Sequence, residues 1–107
     1  MKNFKMKTGA NGVASDIISL SDTVDARILG VATAETHTVP TGATVVLFSS
    51  TGDFWVDFSG ATAAIPAADV TDGSSPELNP VAREVTSGGT FSMISAAAQA
   101  VSLSFYK

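Results

Sequence analysis

The sequence lacks cysteine altogether and has a single histidine among its 107 residues. Without cysteine there is no disulfide framework, no thiolate metal ligand and no thiol nucleophile, so packing must supply the stability. The one histidine, His37, has no second histidine or cysteine to complete a typical zinc site. We therefore expect His37 to occupy a surface position on a strand rather than a metal or catalytic site.

Charge is also scarce, at 15% of residues, and six lysines and arginines against ten aspartates and glutamates give a net charge of −4. This acidic balance opposes a phosphate-rich partner, so we expect no nucleic acid binding. The longest uncharged runs, 38–51 and 86–106, are interrupted by Gly, Ser and Thr. They contain no stretch of the roughly 20 apolar residues that a membrane helix needs, so we expect no membrane partner.

The first residues differ in composition from the rest. Lys2, Lys5 and Lys7 are followed by Thr8-Gly9-Ala10-Asn11-Gly12 instead of the apolar stretch of an export signal. We therefore expect the protein to be made and used in the cytoplasm of its host cell. Because β-forming residues become frequent only near Ala26, we interpret 1–25 as an N-terminal arm and 26–107 as the folded domain. Within the arm, residues 16–24 fit a short helix and an extended segment equally well.

The remainder contains short runs of β-forming residues separated by turns, which predicts an all-β chain. Only 60–82 does not fit, since Pro66, Pro76, Pro80 and the turn at Asp72-Gly73 predict a long loop. A single domain of this length buries about two thirds of its unfolded surface. We predict a small antiparallel β-sandwich or jelly roll. The predicted strands are 27–33, 36–39, 43–50, 53–59, 83–86, 90–96 and 100–106.

A two-residue turn at Thr51-Gly52 predicts a hairpin with a fixed register. One face of this hairpin is then apolar and belongs to the core; it carries Val45, Leu47, Phe54, Val56 and Phe58. The other face carries Val46, Phe48, Asp53, Trp55 and Asp57. In this register Phe48 lies opposite Trp55. Because a solvated face has no use for an aromatic pair, we predict that Val46, Phe48 and Trp55 form an interface.

A second predicted hairpin turns at residues 97–99 and pairs Phe91 with Phe105 and Met93 with Leu103. Its inward face is apolar. Its reverse face is rich in small hydroxyls and suits either solvent or a neighbouring subunit; it carries Ser92, Ile94, Ser102, Ser104 and Tyr106. Two hairpins that each have one apolar face are the components of a sandwich.

No catalytic motif accompanies this fold. Gly-x-Ser-x-Gly and a glycine-rich phosphate loop are both missing. The segment from Asp69 resembles a calcium loop only faintly, because Pro80 stands where an EF-hand needs Glu. Turn chemistry explains its aspartates better, with a cation held by Asp69, Asp72 and Glu77 as the alternative. We expect no enzyme, no cofactor and no metal.

Three runs of residues carry a resemblance. They are Thr38-Val39-Pro40-Thr41-Gly42-Ala43-Thr44-Val45-Val46-Leu47-Phe48-Ser49, Gly52-Asp53-Phe54-Trp55-Val56 and Pro66-Ala67-Ala68-Asp69-Val70-Thr71-Asp72-Gly73. Together, over about a third of the chain, they resemble small structural proteins of tailed bacteriophages. The resemblance implies a virion component, most like a capsid decoration (cement) protein that binds the major capsid protein between capsomers. It further implies a homotrimer or homodimer whose arm, with Lys2, Lys5 and Lys7, reaches across a neighbour.

Two other functions remain open at this point. A carbohydrate- or host-surface-binding sandwich would use Trp55 as a stacking platform between Asp53 and Asp57. A head–tail connector or tail component would share the same all-β composition.

Overall fold

The computed structural model describes residues 1–8 and 14–107, and these contain ten strands and no helix. The strands are β1 (Met6–Thr8), β2 (Ala14–Ile18), β3 (Thr23–Leu29), β4 (Glu35–Thr38), β5 (Val45–Ser50), β6 (Trp55–Asp57), β7 (Glu77–Leu78), β8 (Ala82–Glu84), β9 (Thr90–Ile94) and β10 (Gln99–Tyr106). All seven strands predicted from composition are present, with shifted ends. The described part has no helix long and apolar enough to cross a membrane.

Eight of the strands form two antiparallel four-stranded sheets, in the orders β3-β10-β5-β8 and β4-β9-β6-β7. Four of the pairs are nested along the chain: β3 with β10, β4 with β9, β5 with β8, and β6 with β7. The chain is thus one long hairpin wound across two sheets, which is the double Greek key of a jelly roll. The predicted fold class is confirmed.

The core lies between the inner faces of the two sheets. Alternate positions of the central strands point into it, because successive side chains of a strand face opposite sides. Phe48 and Phe91 meet edge to face there, with ring centroids 5.7 Å apart. The fully buried side chains include Phe91, Phe105, Leu29, Met93, Leu103, Val46, Val56 and Val101. The inward faces predicted for β9 and β10 are therefore correct.

Both predicted hairpins are wrong, because each pair of strands is divided between the two sheets. β5 pairs with β10 and β8, whereas β6 pairs with β9 and β7. Likewise β9 lies in one sheet and β10 in the other. The short connection at Thr51-Gly52 crosses from sheet to sheet, and the Thr51 N–H donates to the Ala100 carbonyl at 3.0 Å.

The new pairing reverses the predicted orientation of β5. Val46 is fully buried and Phe48 is 8% exposed, so both belong to the core and not to an interface. The half-buried Val45 and Leu47 lie on the outer side of the sheet. The rest of the predicted core face holds, since Phe54 and Val56 are buried and Phe58 packs against the core.

The N-terminal segment is extended. β1 and β2 form a two-stranded antiparallel sheet, so the helical alternative for residues 16–24 is wrong. Residues 9–13, which include most of the predicted glycine- and asparagine-containing stretch, lie outside the described residues. β3 begins at Thr23, three residues before the change in composition at Ala26.

The segment predicted as a loop at 60–82 contains the short strand β7 and the first residue of β8. β7 extends the second sheet at its edge, where Leu78 lies opposite Trp55.

Candidate functional site: outer faces and N-terminal segment

His37 is a buried core residue, 7% exposed, and the predicted surface position is wrong. It points inward from β4 opposite Phe91. Its ring is stacked on that of Phe105, with centroids 5.7 Å apart and an interplanar angle of 8°, and tilts against Phe91 at 5.6 Å. The strand position itself is as predicted. The alternation of residues in the sequence does not show that the His37 side of β4 packs against the core.

A carboxylate holds the outer nitrogen of this ring. His37 Nε2 lies 2.9 Å from Asp25 Oδ2 on β3, the neighbouring edge strand of the other sheet. A histidine–carboxylate pair is two thirds of a hydrolytic triad. However, among the described residues His37 Nδ1 has no hydrogen-bond partner. The pair therefore has no nucleophile attached, and its geometry is that of a bridge between two strands.

The carboxylates of the calcium-like segment have local partners. Hydrogen bonds from the hydroxyl and backbone N–H of Ser74 lower the pKa of Asp72. Glu77 accepts from Arg83 Nε at 2.7 Å. Within residues 1–8 and 14–107 no group of three histidine, aspartate or glutamate side chains is arranged to hold a metal. The arrangement favours the turn interpretation.

Trp55 lies on the outer face of the second sheet, half-buried, in a row with Leu78 and Ile94. Phe48, predicted to lie opposite it, is in the core. The two carboxylates beside Trp55 already have partners: Asp53 accepts from Asn79 Nδ2 at 2.8 Å, and Asp57 accepts from the backbone N–H of Ser59 at 2.8 Å. If Trp55 stacked on a sugar, the carboxylates on either side of it would already be engaged in hydrogen bonds within turns.

The loop after β6 covers the neighbouring part of this outer face. The Ala63 N–H donates to the Ser92 hydroxyl at 2.9 Å, and both residues are buried. Ile94 is also only 7% exposed. Ser92 and Ile94 of the predicted reverse face are thus covered by the chain itself, whereas Trp55 and Leu78 on the same side remain at least partly exposed.

The outer face of the first sheet is open, and we call it the open face. It consists of the outward side chains of β3, β10, β5 and β8. Register and alternation assign to it Val24, Ala26, Ile28, Ala100, Ser102, Ser104, Val45, Leu47, Ser49, Ala82 and Glu84. Glu84, on the edge strand β8, is the one charged residue among them. Of these residues, the sequence predicted only Ser102 and Ser104 on an outer face.

β3 has inverted polarity. Its outward residues include Val24 and Ile28, 55% and 71% exposed, whereas its inward residues include Asp25 and Arg27. The inward charges are matched across the gap to β4, where Asp25 meets His37 and Arg27 Nε lies 3.8 Å from Glu35. A strand on a monomeric sandwich normally turns its apolar side inward. Here Val24 and Ile28 face solvent, and Leu29, at the end of the strand, is the large apolar side chain that it buries in the core.

The base of the N-terminal segment is tied to the last strand. Phe4 N–H donates to the Lys107 carbonyl at 3.1 Å, and Lys107 N–H donates to the Lys2 carbonyl at 2.9 Å. The Phe4 ring meets Tyr106 edge to face at 5.4 Å, and the Tyr106 hydroxyl donates to the Ser19 carbonyl at 2.7 Å. This packing buries Tyr106, which the sequence placed on the reverse face.

An ionised carboxylate adds to this attachment. Partial desolvation raises the pKa of Asp22, but hydrogen bonds from the Lys2 backbone and the Thr23 hydroxyl, with the nearby Met1 ammonium, outweigh it, and the pKa is lowered. The Met1 ammonium nitrogen lies 3.9 Å from Asp22 Oδ2.

The segment also presents exposed basic and apolar side chains. Lys2 and Lys5 are exposed, as are Met6 (44%) and Leu20 (81%). The side chain of Lys7, the third predicted contact, lies outside the described residues.

No protein-family model, no curated protein and no solved structure matches this chain. The surfaces on which a function is proposed below are the open face, the Trp55 row and the N-terminal segment.

Proposed function

We propose that this chain is a structural virion protein that decorates and stabilises a bacteriophage capsid by binding the major capsid protein between capsomers. The observation that carries the proposal is the inverted polarity of β3, with Val24 and Ile28 directed to solvent. Apolar side chains that face outward in adjacent positions of a sheet usually mark an interface. A protein built for assembly needs such a face, whereas an enzyme of this size needs a cleft.

The topology supports the same proposal by analogy. Jelly rolls occur in viral capsid proteins, in lectins and in cupins. Fold alone does not define function, so the topology agrees with each of these classes. The resemblance of the runs 38–49, 52–56 and 66–73 to phage structural proteins favours the first.

The N-terminal segment supplies the second feature that a decoration protein needs. It is anchored at Tyr106 and Lys107 and carries Lys2 and Lys5 on its exposed surface. On a protein with a net charge of −4, these cations provide a local site for an acidic neighbour. We propose that this segment contacts the capsid lattice.

Co-sedimentation with capsids tests the proposal. The purified protein is mixed with undecorated capsid shells of the phage whose genome encodes it, and we expect the protein to pellet with the shells at a fixed ratio. Lys2→Gln/Lys5→Gln, which changes the charge by −2, should weaken binding several-fold in a salt-dependent way. The matched control is Thr71→Glu/Ser75→Glu, which changes the charge equally in an exposed loop and should bind normally.

Failure of the wild-type protein to pellet with shells would refute decoration. Binding to isolated tails instead would indicate the head–tail or tail alternative. Saccharide binding on a glycan array that is lost in Trp55→Ala would favour the carbohydrate alternative, whose one structural support is the outward, half-buried Trp55.

A further inference from the structure

β3 is the longest of the described strands that lie at the edges of the two four-stranded sheets. It has seven residues, whereas the other edge strands, β4, β7 and β8, have four, two and three. Its register with β10 is continuous from Thr23 to Leu29, and it contains neither proline nor lysine. Proteins commonly protect a strand edge with a bulge, a proline or a lysine, because an open edge pairs with other chains. None of these three features protects β3.

The backbone groups on the free edge of β3 belong to Val24, Ala26 and Ile28. The carbonyls of Ala100 and Tyr106 accept from N–H groups at the two ends of β5, so the even-numbered residues of β10 bond to β5. The odd-numbered residues of β10 then bond to β3, where they lie opposite residues 23, 25, 27 and 29. The N–H and C=O groups of the intervening residues therefore point away from β10. Within the described part of the chain they have no hydrogen-bond partner.

We infer that β3 pairs with β3 of a second copy of this chain, antiparallel about a two-fold axis at Ala26. The contact joins the two copies of the sheet β3-β10-β5-β8 edge to edge. Ala26 lies opposite Ala26 at the axis, and Val24 lies opposite Ile28 on each side of it. Each of these pairs exchanges two backbone hydrogen bonds, so the contact satisfies every free group on this edge.

The occupant is a second copy because the charges of β3 are complementary to themselves in this register. Asp25 of each copy lies opposite Arg27 of the other, at non-hydrogen-bonded positions, where cross-strand side chains are closest. A shift of two residues would instead place Asp25 opposite Asp25 or Arg27 opposite Arg27, which is destabilising. Inward charges usually protect an edge against other strands. Those of β3 oppose other registers and favour this one.

Both charged side chains are accessible to a second copy. Asp25 is 41% exposed and Arg27 is 32% exposed. Asp25 uses one carboxylate oxygen, Oδ2, for His37, which leaves Oδ1 to accept from Arg27 of the other copy. Because these ion pairs lie at the partly exposed seam between β3 and β4, they contribute more to the register than to the affinity.

The dimer goes beyond the proposed function and leaves the proposed capsid contact uncovered. Pairing uses the backbone edge and the inward charges, so Val24 and Ile28 of both copies stay on the open face in one continuous row. A ladder of seven residues is about 24 Å long. It buries less than the roughly 1,000 Å² of a standard interface, so we expect a weak dimer with a dissociation constant of about 10–500 μM.

Ala26→Pro tests the backbone ladder. It removes the N–H at the dimer axis and no bond to β10, and edge strands tolerate proline, so the fold should persist. In sedimentation equilibrium of the full chain from about 10 μM to about 1 mM, the wild type should dimerise reversibly, and Ala26→Pro should raise the dissociation constant at least about tenfold. Thermal melting of each variant checks folding.

Ala82→Pro is the matched control. Ala82 is an exposed alanine on β8, the other edge strand of the same sheet. Its N–H also points to a free edge, because the neighbouring Val81 and Val85 bond to β5. Ala82→Pro should therefore dimerise as the wild type does.

A cysteine at the axis provides a second measurement that does not depend on the proline variants. The chain has no cysteine of its own. The Cα atoms of a hydrogen-bonded antiparallel pair lie about 5.5 Å apart, which a disulfide can span. Mild oxidation should therefore crosslink Ala26→Cys into a dimer at least about tenfold faster than Ala82→Cys.

A wild-type protein that stays monomeric at the highest concentration would overturn the inference. Equal crosslinking of the two cysteine variants would do the same, as would a folded Ala26→Pro that dimerises like the wild type. If Ala26→Pro does not fold, the crosslinking comparison decides. Co-sedimentation with shells separates the two proposals: a monomeric wild type that pellets refutes the dimer only, and a dimer that does not pellet refutes decoration only.

Discussion

His37 joins the two sheets at the open edge of the sandwich. Its ring is held on both sides by Phe91 and Phe105, and its Nε2 is hydrogen-bonded to Asp25, whose side chain is 41% exposed. Of the described residues none bonds its Nδ1, which is buried. The aromatic ring of His37 therefore stabilises the fold through packing. Its buried, unpartnered Nδ1 lowers that stability.

A pair of substitutions separates these contributions. His37→Ala should destabilise the protein by about 2–4 kcal/mol, because it leaves a cavity between two phenylalanine rings. His37→Phe should cost less than about 1 kcal/mol, since it keeps the ring and removes the unpartnered nitrogen. Urea denaturation monitored by circular dichroism measures both. An equally large loss in His37→Phe would show that the hydrogen bond to Asp25, and not the ring, stabilises the fold.

At the level of elements, the pairing of β6 with β7 is extended at one end by Asn79, the residue after β7, which bonds to Phe54, the residue before β6. Asn79 has a left-handed backbone, with φ of +50°. Its Oδ1 accepts from the Phe54 N–H at 2.9 Å, its own N–H donates to the Phe54 carbonyl at 2.9 Å, and its Nδ2 donates to Asp53. Asparagine is among the few residues that tolerate this conformation and also bond to a neighbouring backbone.

We expect Asn79→Ala to destabilise the protein by about 1–3 kcal/mol, since it leaves the buried Phe54 N–H unsatisfied and places a Cβ-only side chain at positive φ. Asn79→Gly relieves the backbone but not the lost hydrogen bonds, so its cost should be smaller. Thermal unfolding of the two variants compares these terms. If Asn79→Gly is the less stable of the two, the backbone conformation is not the source of strain.

The positions of the strands were predictable from sequence, but their partners were not. Short runs of β-formers located seven strands, and alternation assigned the inner faces of β9 and β10. β5 gave no such signal, because Val45, Val46, Leu47 and Phe48 are apolar on both faces. Its orientation was therefore inferred from the turn at Thr51-Gly52. A connection of that length joins a hairpin or crosses between sheets, and local sequence does not distinguish the two.

The incorrect hairpin between β5 and β6 also made the predicted interface partly wrong. Val46 and Phe48 were assigned outward with Trp55, and only Trp55 is there. The alternation of Val24, Ala26 and Ile28 with Asp25 and Arg27 was visible in the sequence. This alternation predicts a strand with one apolar and one charged face, and without knowledge of the strand pairing the apolar face would be assigned to the core. Only the pairing with β10 shows that this side faces solvent.

For the whole molecule, the two ends of the described chain are bound to each other. The N-terminal segment is attached to Tyr106 and Lys107, and Asp22 receives hydrogen bonds from Lys2 and Thr23. Because the pKa of Asp22 is lowered in the folded protein, its ionised form stabilises this attachment. The contribution is complete above the ordinary pKa of 3.8 and is lost as the pH falls through the lower folded value.

We therefore expect the attachment of the N-terminal segment to weaken as the pH falls below about 4. The amide resonances of Phe4 and Lys107, followed by NMR from pH 6 downward, should shift together in this range. Asp22→Asn should abolish that transition. Asp72→Asn removes another carboxylate of lowered pKa, remote from this segment, and should leave it unchanged. A transition that persists in Asp22→Asn would assign it to a different group.

The nested pairing has a consequence for biosynthesis. β10 lies in the interior of its sheet, between β3 and β5, so that sheet has no continuous backbone ladder until residues 99–106 have left the ribosome. Until then the nascent chain exposes the strands that β10 will cover. Non-local pairings of this kind form slowly, which leaves unpaired strand edges exposed during translation. Trigger-type chaperones that shield nascent chains should therefore increase the soluble yield of this protein more than that of a helical chain of equal length.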